Sequence, residues 1–168
     1  QEGFHILRRA FLMSCLAAVV ACTSVPSELA MAPNSTLIVV RHGDRDKENL
    51  SAQGKARAVA LVEAVKGFDL AAIYAPGIQR NLDTAAPLSR ARGLPVQRIP
   101  QEAPTARLVT EGAGETVIWI GNKGNIRRIW EDLGLSDPAP LEYGDLFIVR
   151  SDSAGVVTVE QRFFGSRG

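Results

Sequence analysis

From residue 36 onward, short apolar runs alternate with longer amphipathic stretches. The run 36–40 (TLIVV) is unbroken and largely β-branched, which predicts a strand covered on both faces. Ser51 can cap a helix reaching about Lys66, in which Ala58, Leu61, Val62 and Val65 recur at helical spacing, and Gly67 is the expected stop. Residues 71–75 (AAIYA) predict a second strand. A second helix is expected from Gln79 to Arg92, closed by Gly93 and Pro95, with a third strand over 95–99. Residues 116–120 (TVIWI) predict the next strand. Ile126, Ile129, Trp130 and Leu133 then form a helical stripe ending at Gly134. The segments 145–150 and 156–163 flank Ser-Asp-Ser-Ala-Gly and predict a terminal antiparallel hairpin. Together these elements predict an α/β fold over residues 36–168. It would be a three-layer sandwich with a mostly parallel central sheet flanked by helices.

The first 35 residues follow a different pattern. Arg8 and Arg9 precede the apolar run 10–21, which ends in small residues and Cys22. A charged start, a run shorter than the ~20 residues of a membrane span and a small-residue end describe a secretory signal over 1–21. The stretch 19–22 (VVAC) resembles a bacterial lipobox. That resemblance makes Cys22 a candidate for lipidation and the protein an exported periplasmic or envelope-anchored lipoprotein, held to the membrane by lipid alone. An ordinary signal peptide that happens to contain Cys22 is the alternative. Residues 22–35, rich in Ser, Pro, Ala and Thr, read as a flexible tether.

Composition narrows the function classes. The 168 residues, 46% hydrophobic and 22% charged, suit one globular domain. The formal net charge is +1, and removal of residues 1–21 takes it to neutrality, so nucleic-acid binding has no electrostatic basis. Cys15 and Cys22 are the two cysteines, which leaves the body of the chain without disulfide or thiol chemistry. With one histidine in that body, a zinc site of the usual kinds is excluded. No stretch matches a Walker A loop, and Gly112-Ala113-Gly114 lacks the strand and third glycine of a dinucleotide site.

Three segments fall at the carboxyl ends of predicted strands, where open α/β sheets bind ligands. They are Arg41-His42-Gly43, the turn carrying Arg80, and Gly121-Asn122-Lys123-Gly124-Asn125. A neutral imidazole whose other nitrogen is held by a hydrogen bond is a competent nucleophile. Arginine presents a planar fork that matches phosphate oxygens. A glycine-rich turn entering a helix offers backbone N–H groups to an anion, and Gly43 lets the backbone come close to a phosphate. The neighbouring run Asp44, Arg45, Asp46, Lys47 and Glu48 reads as mainly a solvated loop.

The blocks LIVVRHGDR and LSAQGKARA resemble the opening of the histidine phosphatase superfamily, the phosphoglycerate-mutase-like fold. There a strand ends in Arg-His-Gly and Leu-Thr/Ser-x-x-Gly-x-x-x-Ala opens the next helix. YAPGIQRNLDTAAPL resembles the family's second block, with Ala75, Pro76, Arg80, Thr84 and Ala85 matching or nearly matching. The resemblance spans roughly Thr36 to Phe163. It implies that His42 is phosphorylated and that the phosphohistidine is then hydrolysed or its phosphoryl group passed on. It also implies that Arg41 and Arg80 bind the phosphoryl group and that no metal or other cofactor is needed. The family's third block carries a second histidine, and here Asn122 stands in that place. Asn122 keeps a hydrogen-bond donor without the charge, which Lys123 could restore from the next position. For the proton donor to the leaving group, Asp44 is the first candidate and Glu102 the second.

The resulting expectation is a phosphomonoesterase with a phosphohistidine intermediate on His42, with Asp44 as acid and Arg41, Arg80, Asn122 and Gly43 as phosphate ligands. The substrate would be a phosphorylated small molecule or a lipid-linked sugar. The alternative is a catalytically impaired protein that binds a phosphorylated ligand or a partner. A mutase is disfavoured because the segment between Arg92 and Thr116 is short for a substrate cap.

Overall fold

The computed structural model describes residues 29–167. The signal segment and the lipidation candidate Cys22 lie outside the described residues. No helix among those described is long and apolar enough to cross a membrane.

The central strand is β1 (Ser35–Arg41). Side chains on a strand alternate between faces, and here both sets are apolar. Leu37 and Val39 enter one core; Ile38 and Val40 enter the other. This double burial is what the unbroken TLIVV run requires. A two-rung hairpin, β2 (Arg45–Asp46) and β3 (Asn49–Leu50), precedes α1 (Ala52–Ala64). Then follow β4 (Ala72–Ala75), α2 (Gln79–Arg92), β5 (Val96–Arg98), α3 (Thr105–Glu111), β6 (Thr116–Gly121) and α4 (Lys123–Asp132). The chain closes with β7 (Asp145–Ser151) and β8 (Val157–Phe163).

The large sheet has the order β5-β4-β6-β1-β7-β8. Pairing is parallel from β5 to β1 and antiparallel from β1 through β7 to β8. Leu61 and Val65 from α1 and its end, with Ala85 and Leu88 of α2, cover one face. Leu108 of α3 and Ile126, Ile129 and Trp130 of α4 cover the other. The fold is the expected three-layer sandwich with a mostly parallel centre and a C-terminal antiparallel pair.

Several boundaries differ from expectation. Residues 22–35 are not all tether, because Met31 is buried in the core and Ser35 already opens β1. The first helix stops at Ala64 with Val65 as its C-cap, so Gly67 is not its terminator. Gly93 does end α2, in the left-handed conformation at φ 65°. The short helix α3 and the β2–β3 hairpin were not anticipated.

Candidate active site

Parallel pairing sets Arg41 against Gly121 at the carboxyl ends of β1 and β6. The chain therefore delivers His42 and Asn122 to one edge, and α2 brings Arg80 to the same edge. His42 extends the pairing, its N–H donating to the Gly121 carbonyl at 2.9 Å. A cavity of about 330 Å³ opens there, lined by Arg41, His42, Arg45, Arg80, Asn122, Lys123 and Gly124. Three of the predicted segments thus converge. Arg45, placed by sequence in a solvated loop, joins them because the β2–β3 hairpin folds its first residue against the cleft.

The His42 ring is 2% exposed, and both nitrogens are occupied. Nδ1 lies 2.7 Å from the Gly43 carbonyl oxygen, which can only accept. Nε2 lies 3.2 Å from Arg80 Nε, which can only donate. These two partners fix the tautomer: the proton sits on Nδ1, and Nε2 holds the lone pair. Burial, aided by Arg41, Arg80 and Arg45 and opposed by the Gly43 hydrogen bond, pushes the His42 pKa down to about 4. The imidazole is therefore neutral at physiological pH, the form a nucleophile needs.

The loop bearing His42 is held by close backbone contacts. Gly43 N–H donates to Thr84 Oγ1 at 2.9 Å, and that hydroxyl donates to the Arg80 carbonyl at 2.7 Å. Thr84 thus couples the loop bearing His42 to the first turn of α2, which carries Arg80. A Cβ on Gly43 would stand 2.6 Å from the Gly54 carbonyl oxygen, and one on Gly54 would collide with the Asp44 carbonyl. The glycines of Arg-His-Gly and of Leu-Ser-x-x-Gly therefore allow one crossing, where α1 packs on the loop. Ser51 secures the crossing by capping α1 through Gly54 N–H and donating from Oγ to the Asp44 carbonyl.

Asp44 occupies a different place from the one expected of a proton donor. Its Oδ2 accepts from Arg57 Nε at 2.6 Å, and its Oδ1 is 3.5 Å from Arg57 Nη2. Arg57 is 3% exposed and also donates to the carbonyls of Phe164 and Ser166. Asp44 is not among the cavity-lining residues. Its carboxylate anchors α1 and the C-terminal segment to the loop, because a buried guanidinium needs an anionic partner. Glu102 lies elsewhere, in an adjoining cavity of about 290 Å³ lined also by Gln101, Asn122, Gly124, Asn125 and Arg128. The two cavities share Asn122 and Gly124.

Asn122 is the N-cap of α4. Its Oδ1 accepts from the N–H groups of Gly124 and Asn125, and its Nδ2 donates to Gln101 Oε1 at 3.2 Å. The expectation that this turn offers free N–H groups to an anion is corrected at those two positions, since the cap already satisfies them. Gly121 is required beneath it, where a Cβ would strike Trp119 Nε1 and Asn125 Oδ1.

Arg80, Lys123 and Arg41 each have a partner at the rim. Arg80 Nη1 lies 3.2 Å from Glu48, whose side chain is 82% exposed, and Lys123 lies 3.6 Å from Glu142. Arg41 donates from Nη1 to the Leu141 carbonyl and from Nη2 to the Tyr143 hydroxyl, each at 3.0 Å. The partners of Arg41 and Lys123 come from the segment between α4 and β7, which sequence reasoning did not connect to the site.

This edge gathers one neutral imidazole and four cations at the carboxyl ends of parallel strands in an α/β fold. Comparison with known proteins bears on that fold. Residues 37–101, from within β1 to just past β5, match the model of the Histidine phosphatase superfamily (branch 1). A mycobacterial glucosyl-3-phosphoglycerate phosphatase, solved with inorganic phosphate, is similar in fold at a TM-score of 0.57 and 17% identity. The likeness covers 79% of this chain and 97% of that one. The protein histidine phosphatase SixA, complexed with tungstate, matches at 0.58 and 16%, covering 76% and 96%. Bacillus stearothermophilus YhfR matches at 0.58 and 19%, covering 74% and 94%. No curated protein sequence matches the chain. The fold is that of the histidine phosphatases.

Proposed function

We propose that the protein hydrolyses a phosphomonoester through a phosphohistidine on His42. The observation that carries this reading is the pair of contacts that leaves Nε2 as the unprotonated nitrogen beside Arg80. In the proposed first step, Nε2 attacks phosphorus, the P–O bond to the leaving group breaks, and that oxygen takes a proton. Water then attacks phosphorus, releases phosphate and returns the electron pair to Nε2. Arg41 and Arg80 bind the phosphoryl oxygens, with Arg45 and Lys123 adding positive charge at the rim and Gly43 allowing close approach. Glu102 is better placed than Asp44 to protonate the leaving oxygen, since it lines the adjoining cavity and Asp44 is bound to Arg57. The substrate is a phosphorylated small molecule, with a lipid-linked sugar in view if the chain is exported and anchored at Cys22. Phosphate release from an aryl phosphate tests the reading: His42→Ala should abolish it, and an unchanged rate would refute the mechanism.

A specific observation favours a second reading, binding with little turnover. Asn122 is committed to capping α4 and brings no charge. If Asn122→His raises hydrolysis strongly from near zero, the natural protein is primarily a binder of phosphorylated ligands.

A further inference from the structure

Tyr143 stands in the turn before β7, far in sequence from Arg41, yet it meets that residue in two ways. Its hydroxyl accepts from Arg41 Nη2 at 3.0 Å, and its ring lies under the guanidinium, 3.8 Å from Cζ to the ring centroid. The same ring sits 5.8 Å from the His42 ring, tilted by 58°. Leu141, two residues earlier, takes Arg41 Nη1 on its carbonyl. Arg41 is thus gripped on one face and at both terminal nitrogens by a single segment.

That segment is itself fixed. Leu141 packs against the core that holds Trp130 and Phe147. Glu142 N–H donates to Asp145 Oδ2 at 3.2 Å. Gly144, at φ 90°, adopts a left-handed conformation beside Arg57 and Phe163, where a Cβ would strike both side chains. A guanidinium carries five N–H donors in one plane. Leu141 and Tyr143 take two of them and a third, on Nε, is buried, which leaves one N–H on each terminal nitrogen for a ligand. Arg41 Nε is buried and makes no hydrogen bond to any described residue.

The geometry points to Tyr143 as a positioning residue for phosphate recognition. It fixes the plane of the Arg41 fork beside His42, so that the unspent N–H groups meet the phosphoryl oxygens without first being ordered. Stacking contributes the orientation, and the hydroxyl fixes rotation within the plane. This inference rests on the phosphatase reading and names a residue that neither the sequence pattern nor that reading assigns. Arg41 and Tyr143 act as one unit, so their effects on ligand binding should not add.

The experiment is titration of the full chain with inorganic phosphate and with tungstate, read by calorimetry and requiring no turnover. Tyr143→Ala should weaken binding about tenfold, Tyr143→Phe about two- to threefold because stacking survives, and Arg41→Ala more than either. The decisive variant is Arg41→Ala/Tyr143→Ala, which should bind no more weakly than Arg41→Ala alone. A purely structural tyrosine would give additive losses, and that result overturns the inference, as does wild-type affinity in Tyr143→Ala. If Tyr143→Ala does not fold, Tyr143→Phe still decides: affinity equal to wild type for both anions refutes the role of the hydroxyl. A wild-type protein that binds neither anion would overturn the phosphatase reading and this inference together, whereas binding that is indifferent to residue 143 overturns this inference alone.

Discussion

Arg80 Nε lies 3.2 Å from His42 Nε2, a contact in which arginine can only donate and the imidazole can only accept. Most of the site's chemistry follows from it. The contact holds the lone pair in place, and the positive charge of Arg80 works with burial against protonation of the ring.

The first prediction concerns pH. His42 has a folded pKa of about 4 against an ordinary value of 6.5. The unfolded chain therefore binds more protons between those values, and stability falls as pH drops from 6.5 through 4. The loss should approach about 2–3 kcal/mol after allowance for partial solvent screening. His42→Gln removes this dependence, so between pH 6.5 and 4 the stability read from urea melts should fall more steeply in the wild type than in the variant. Parallel slopes would count against the burial of a neutral ring.

A second prediction separates anchor from acid. Asp44→Asn keeps the shape but weakens the pair with Arg57, and should cost roughly 1–3 kcal/mol in stability. Its effect on turnover should be modest. Glu102→Gln should leave stability nearly unchanged and slow hydrolysis of an alkyl phosphate by about 10²-fold or more, with a smaller loss for an aryl phosphate whose leaving group needs little protonation. The reverse pattern would restore Asp44 as the proton donor.

The crossing of α1 over the loop bearing His42 gives a third. Gly54→Ala places a methyl group against the Asp44 backbone, where no side chain can yield. A destabilisation of about 2–3 kcal/mol and a large fall in activity are expected. Gly67→Ala, with nothing near its added Cβ, is the control and should change stability by no more than about 0.5 kcal/mol.

A fourth concerns the α4 cap. Asn122→Ala frees the N–H groups of Gly124 and Asn125 and should cost about 1 kcal/mol. The same variant should tighten or preserve phosphate binding if those N–H groups turn to the anion. Calorimetry beside a thermal melt reads both effects.

What the sequence discloses follows from how local each cause is. TLIVV and TVIWI read as buried strands because every residue is apolar or β-branched, whichever face it takes. The bounds of α2 were legible because Gly93 can enter the left-handed conformation that ends the helix. His42, Arg41 and Arg80 were legible because strand ends and turns gather at one sheet edge. α3 was missed because it spans seven residues, preceded by Pro104, and only Thr105 and Leu108 are buried within it. The pairing of Asp44 was not legible because its partner Arg57 lies on α1, and nothing in the charge run shows that a buried guanidinium faces it. Tyr143 escaped notice because its role arises from tertiary contact with a residue 102 positions away.

The measurement closest to the central claim is covalent trapping. The full chain, mixed with a 32P-labelled aryl phosphate and quenched in alkali, should carry an acid-labile label on His42, at Nε2, because Nδ1 is held by the Gly43 carbonyl. Absence of label during active turnover, or label persisting in His42→Ala, would contradict the account.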